Sequence, residues 1–160
     1  MSEPRFSIGI DLGTTHCALS YVDIGACDGE QVVQEVLQIP QLTAPGSVES
    51  LGLLPSFLYL PHASELAAGD LHLPWTAEQD YAVGEMARSR GAATPIRLVS
   101  SAKSWLCHAG VDRRAAILPN DAPLEVTRLS PLEASLRYLG HLRAAWDHAY
   151  PDAPFVDQEI

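Results

Sequence analysis

The chain has 160 residues, 47% of them hydrophobic and 19% charged, which suits a globular protein with one substantial core or two small ones and excludes a disordered chain. Ten basic against twenty acidic side chains give a formal charge of -10, which disfavours nonspecific binding to nucleic acid and to anionic membranes, since both reward clustered Lys and Arg. No apolar run approaches the roughly 18 residues that span a bilayer and no basic segment with a hydrophobic run opens the chain, so a cytoplasmic protein is expected.

Phe6 to Asp23, FSIGIDLGTTHCALSYVD, reads as two strands joined by a tight turn. Apolar residues alternate at Phe6, Ile8, Ile10 and Leu12, then at Cys17, Leu19 and Tyr21, the period of strands with opposed faces. Asp28-Gly29 marks a turn, and the Val, Leu and Ile of Gln31 to Ile39 predict a third antiparallel strand, completing a meander. Pro40 to Ser50, with Pro45-Gly46 and little periodicity, is expected to be an exposed connection. Pro61 to Asp80 reads as a long loop, Gly84 to Arg90 and Ser101 to His108 as short helices, and Pro119 to Pro123 as a loop. Ser130-Pro131-Leu132-Glu133 has the form of a capping box, and Leu132, Leu136, Leu139, Leu142 and Trp146 follow at helical spacing until Pro151 stops the helix. Phe155 to Ile160 looks like the start of a further strand.

The turn Asp11-Leu12-Gly13-Thr14-Thr15 carries the chemistry. Gly13 has no Cβ, so its backbone can approach a ligand closely, while successive amides and the Thr14 and Thr15 hydroxyls can donate to phosphate oxygens. Asp11, ending the strand, would face the magnesium that accompanies a polyphosphate, through water because that ion dehydrates reluctantly. An ordinary Gly-Thr hairpin uses the same residues, and spacing alone does not separate the two readings.

GIDLGTT followed by a second strand resembles the first phosphate-binding hairpin of the seventy-kilodalton heat-shock chaperones, the DnaK-like branch of the actin and sugar-kinase ATPase superfamily. The likeness continues in order along the chain. LLPSFLYL, Leu53 to Leu60, is similar to that family's Thr-Pro-Ser-hydrophobic strand, with Leu54 where threonine is usual; YAVGEMARSRG, Tyr81 to Gly91, is similar to its Val-Gly strand end and short helix. VSSAKSWLCH, Val99 to His108, resembles its Ala-Lys-Arg-Leu-Ile-Gly element, and Ser130 to Tyr150 the helix that returns to the first subdomain.

The resemblance implies an α/β fold of the actin-like ATPase (ribonuclease H-like) type, present in part: a mixed sheet opened by an antiparallel meander, with a smaller α/β subdomain inserted. Residues 1–41 and 130–160 would form the core subdomain of lobe I and residues 42–129 the insertion, the rest of the ATPase domain and a substrate domain lying outside this amino-terminal part. It implies ATP and ADP as nucleotides, with magnesium at Asp11. Gly13, Thr14, Thr15 and His16 would contact the phosphates, and Lys103, with Asp11 and Thr14, would serve the transfer to water. The parent would be a chaperone of protein folding under stress, from a divergent bacterial branch, with unfolded polypeptide, J-domain co-chaperones and a nucleotide exchange factor as partners. A sugar-kinase-like phosphotransferase and a weakly catalytic or non-catalytic nucleotide-sensing module are the alternatives. The second is motivated by His16 and Cys17, where the family has Asn or Tyr and then Ser, by Ser104, where it has Arg, and by the long loop at 61–80.

Other residues offer less. Cys17, Cys27 and Cys107 are odd in number and unspaced for zinc or a disulfide framework, and Cys17 is expected to be a small core side chain. His62, His72, His108, His141 and His148 form no ligand pattern; His16 could touch a nucleotide or cap its strand. Trp75, Trp105 and Trp146 are expected to anchor packing, and no P-loop or dinucleotide fingerprint occurs. A Lys103 outside such a family would ordinarily be a solvated surface residue.

Overall fold

A computed structural model describes residues 3–27 and 31–160. The turn expected at Asp28-Gly29 lies outside the described residues. The chain forms β1 (Phe6–Leu12), β2 (His16–Asp23), β3 (Glu35–Val36), β4 (Ile39–Ala44), β5 (Ser47–Leu51), β6 (Leu54–Pro55), β7 (Leu58–Tyr59), β8 (Ala82–Val83), α1 (Glu85–Ala93), β9 (Leu98–Val99), α2 (Ala102–Leu106) and α3 (Pro131–Ala149). This is a mixed α/β protein whose named strands pair antiparallel in three small sheets.

The period-2 alternation of the first hairpin decides which face is buried. Phe6, Ile8, Cys17, Leu19 and Tyr21 point to the core, and the register sets Asp11 opposite Ala18 and Leu12 opposite Cys17. Against that face lies α3. Ser130 accepts a hydrogen bond from the Glu133 amide at 3.1 Å while the Glu133 carboxylate accepts from the Ser130 amide at 2.8 Å, the expected capping box. The Trp146 ring meets Phe6 edge-on at 5.1 Å between centroids and Tyr21 at 5.2 Å, and its indole N–H donates to the Ala153 carbonyl at 2.9 Å.

The leucine stripe is buried only in its second half: Leu142 and Trp146 are fully buried, whereas Leu132 and Leu139 are half-buried. Leu136 is 55% exposed, and the buried residues include Ala134, Tyr138, Leu142, Ala145 and Trp146. Two alanines let the helix approach the sheet closely and the Tyr138 and Trp146 rings fill the space beside them, so the buried face keeps the end of the leucine stripe and adds Ala134, Tyr138 and Ala145.

Other strand expectations are corrected. The third strand is only Glu35–Val36; Leu37 turns inward, its amide bonded to the Leu19 carbonyl at 2.9 Å, and the chain enters β4 at Ile39. Pro40 to Ser50 is not an exposed connection but most of a β4–β5 hairpin, turning at Pro45-Gly46 with Gly46 at φ 68° and burying Gln41 and Leu42. Leu53 to Leu60 is broken at Ser56 and Phe57: β6 pairs with β2, whereas β7 joins β8 and β9. Residues 61–80 contain no named helix or strand, as expected of a loop.

The β8-β7-β9 sheet divides the core. Leu58, Val83 and Val99, aligned across it, enter the main cluster with the hairpin and α3. Tyr59 and Ala82, on its other face, join Leu42, Leu73, Met86 and Ala87 in a smaller cluster beside α1. Phe155 to Asp157 is a single 3-10 turn, after which Glu159 alone bridges Ser7 in parallel, its carbonyl accepting from the Ile8 amide at 2.7 Å. The predicted last strand is thus one bridge long.

His141 is buried between α3 and β4, its Nε2 at 2.9 Å from the Pro40 carbonyl and its ring edge-on to Trp75 at 5.1 Å. Burial lowers its pKa to about 4, against a weaker pull upward from the Pro40 carbonyl. The folded-state value lies below the unfolded one of 6.5, so the unfolded chain takes up the proton first. Stability is therefore full above pH 6.5 and drains as pH falls toward 4. We expect the loss across that window to be about 3 kcal/mol. His141→Gln, which keeps an N–H for Pro40, should remove that component of the urea-unfolding profile; parallel profiles for the two proteins would rule it out.

Candidate functional site

The β1–β2 turn is closed at its base and open above. A Cβ on Gly13 would lie 2.1 Å from the His16 carbonyl oxygen, so only glycine lets the chain turn this tightly. Ser56 holds the turn from the side. Its hydroxyl donates to the Gly13 carbonyl at 2.8 Å, its amide donates to the Thr15 carbonyl at 2.9 Å, and its own carbonyl accepts from the Tyr138 hydroxyl at 3.2 Å.

These bonds consume carbonyls. The donors of the turn are left over: among the described residues, neither the amides nor the hydroxyls of Thr14 and Thr15 have a partner within the protein, and both residues are exposed. Asp11, exposed at the strand end, has no ion-pair partner among the described residues either.

Cys17, fully buried, reports on what surrounds the turn. Its sulfur lies 3.3 Å from the Ser56 hydroxyl oxygen. Burial pushes the thiol pKa up, the Ser56 hydroxyl and the Gly13 amide oppose that, the Asp11 carboxylate adds to it and the Lys103 ammonium pulls against it. Asp11 and Lys103 therefore both lie within electrostatic reach of one buried sulfur, although 92 positions separate them in sequence. The raised pKa keeps Cys17 a thiol at neutral pH, in keeping with a core role.

Lys103 projects from α2, a single helical turn entered through Ser101 at φ 54°, a left-handed conformation that is uncommon for a residue with a side chain. It is exposed, forms no ion pair among the described residues and is the only lysine of the chain. His16 is different from the other candidates. It lies half-buried in β2 opposite Pro55, and its ring has no hydrogen bond among the described residues.

Sequence reasoning thus placed Asp11, Gly13, Thr14, Thr15 and Lys103 around one feature but missed Ser56. The signal was present in Leu54-Pro55-Ser56, where a proline ends one strand and a serine follows, yet its partners are 43 and 82 residues away. No family model matches the chain, and neither a curated protein nor a solved structure matches it.

Gly13→Ala is expected to lower stability by about 2 kcal/mol, because the His16 carbonyl is main chain and has little freedom to yield. Ser56→Ala should cost about 1–2 kcal/mol by leaving the Gly13 carbonyl without its donor. Urea denaturation of each variant measures both; a Gly13→Ala midpoint equal to that of the unaltered chain would show that the turn can widen freely.

Proposed function

We propose that the chain supplies the phosphate-binding half of a chaperone-like ATPase of actin-like fold. The observation that supports this reading most directly is the set of unpartnered Thr14 and Thr15 donors on a turn whose carbonyls are already engaged, with Asp11 and the only lysine nearby. A polyphosphate offers many acceptors and no donors, which is the complement of that surface.

Among the described residues no group of three or more His, Cys, Asp or Glu side chains is placed to hold a metal ion. Asp11 is a lone carboxylate at the turn, which suits a magnesium ion held chiefly by water and phosphate oxygens and does not suit a protein-caged ion. Such an ion, when bound, neutralises charge on the phosphates.

The remaining steps belong to the protein. Thr14 and Thr15 grip phosphate oxygens through amides and hydroxyls, and Asp11 orients the hydration around the phosphates. Lys103 brings a compact positive charge to the terminal phosphoryl group and helps position the attacking water. In this reading His16 shapes β2 and takes no part in the chemistry. A second lobe holds the adenosine end, and a further domain binds unfolded polypeptide under the control of a J-domain co-chaperone and an exchange factor; these partners follow from the family resemblance alone.

Single-turnover ATP hydrolysis by the full-length parent tests the assignment. Lys103→Ala and Asp11→Ala should each slow the chemical step by roughly 10²–10³-fold, the usual cost of losing one group that stabilises developing charge. Rates equal to the unaltered protein would remove both residues from the site.

A further inference from the structure

The segment from Pro61 to Asp80 walls one side of a cavity of about 480 Å3, well away from the β1–β2 turn, and Arg97, Thr127 and Arg137 stand among the residues of the other side. Leu60, Leu66 and Leu71 make much of its surface apolar. The size falls within the roughly 300–1,000 Å3 of small-molecule sites.

The charges around it are unevenly employed. The loop's own carboxylates work locally: Glu65 accepts from the Tyr59 hydroxyl at 2.7 Å and pairs with Arg90 at 3.2 Å, and Asp70 accepts from the Ala67 amide at 2.8 Å. The two guanidiniums facing the cavity are scarcely used. Arg97 gives one N–H to the Leu60 carbonyl at 3.1 Å. The guanidinium carbon of Arg137 lies over the Tyr81 ring, 4.3 Å from its centroid, and the group has no hydrogen-bond acceptor among the described residues. Its neighbour Glu133, one turn earlier on α3, gives one carboxylate oxygen to the capping box and lies within electrostatic reach of Arg137 without pairing with it.

A guanidinium carries its N–H donors in a rigid planar fork, the geometry that takes a carboxylate in two parallel hydrogen bonds, and the Arg137 fork has no acceptor of its own among the described residues. Asp80 is the one carboxylate lining the cavity. Among the Asp and Arg side chains that line it, two guanidiniums against one carboxylate leave a single net positive charge, in a chain whose overall charge is -10. A dianion would face Asp80 at a disadvantage; a monoanion with an apolar body matches both the charge and the leucine surface.

We propose that this cavity binds a small amphipathic carboxylate, its head on Arg137 and Arg97 and its hydrocarbon body against Leu60, Leu66 and Leu71. The probe is octanoate, titrated into the full chain by calorimetry and by amide NMR, with octanamide as an uncharged partner of equal length. Octanoate should bind and move the amide signals of residues 61–80 while leaving those of Thr14 and Thr15 in place, and octanamide should bind at least about tenfold more weakly. Arg137→Gln should weaken octanoate about tenfold or more, and Asp80→Asn should tighten it a few-fold. Equal affinity for acid and amide, no binding of octanoate at millimolar concentration, or shifts centred on the β1–β2 turn would each overturn the proposal. Asp80→Asn guards against a misfolded Arg137 variant, because an exposed carboxylate can be neutralised without disturbing packing, and an unchanged affinity there also counts against the site.

Discussion

A serine that holds two carbonyls of a neighbouring turn, while its own carbonyl is held by a helix, connects most of this molecule. Ser56 sits where β6 ends, so its amide and hydroxyl reach the Thr15 and Gly13 carbonyls and its carbonyl reaches Tyr138 on α3. Hairpin, crossing strand and long helix therefore share one buried polar residue, 2% exposed. A buried carbonyl without a donor costs about 1–3 kcal/mol, so the three elements are fixed relative to one another by satisfaction as well as by shape. The same arrangement leaves the Thr14 and Thr15 donors outward. A ligand meeting them would find groups already in place, with little ordering entropy to lose on binding.

Gln41 plays a parallel part at the smaller cluster. Its side-chain amide donates to the Leu53 carbonyl at 2.9 Å, and its carbonyl accepts from the Glu85 amide at 3.0 Å, at the start of α1. The residue before that helix, Gly84, has φ 91° and no side chain with which to cap it, and a Cβ there would lie 2.5 Å from the Gln41 oxygen. Glycine is thus required twice over, for its backbone angle and for the space that the distant glutamine fills. Two polar side chains from the middle of the chain, Gln41 and Ser56, tie each helix they touch to a strand pair.

What was legible in the sequence was whatever depended on near neighbours. The alternation from Phe6 to Tyr21, the capping box at Ser130 and the strand-glycine-helix order at Tyr81 to Gly91 are set within a few residues, and the structure follows them. The failures share a physical cause, which is that the deciding contact lies far along the chain. Pro40 to Ser50 lacks periodicity because Gln41 is buried as a polar hub, so a burial pattern read from hydrophobicity misses it. Leu136 looks like a core residue until β1 and β2 choose the alanine and aromatic face beside it. Ser56 has only a weak local signature, the proline that ends the strand before it, because its partners lie 43 and 82 residues away. For the site, residue types at the turn were readable, whereas their preparation by Ser56 was not.

The distribution of cations adds a last constraint. The chain carries nine arginines and one lysine, and four arginines form ion pairs among the described residues: Arg5 with Asp23, Arg88 with Glu85, Arg90 with Glu65 and Arg143 with Asp147. Such exposed pairs contribute little energy, but they neutralise both partners locally. Lys103 is not spent in this way, and the only acid whose field it shares at the Cys17 sulfur is Asp11. With a net charge of -10, the mean field of the protein repels an anion, so an anion at this surface would depend on short-range donors and local positive charge. An arginine at 103 would preserve the charge but spread it over a planar fork that asks for two acceptors in one plane. An ammonium concentrates it at one atom with three rotatable donors. A lysine at 103 thus offers a concentrated charge at a position that forms no ion pair among the described residues.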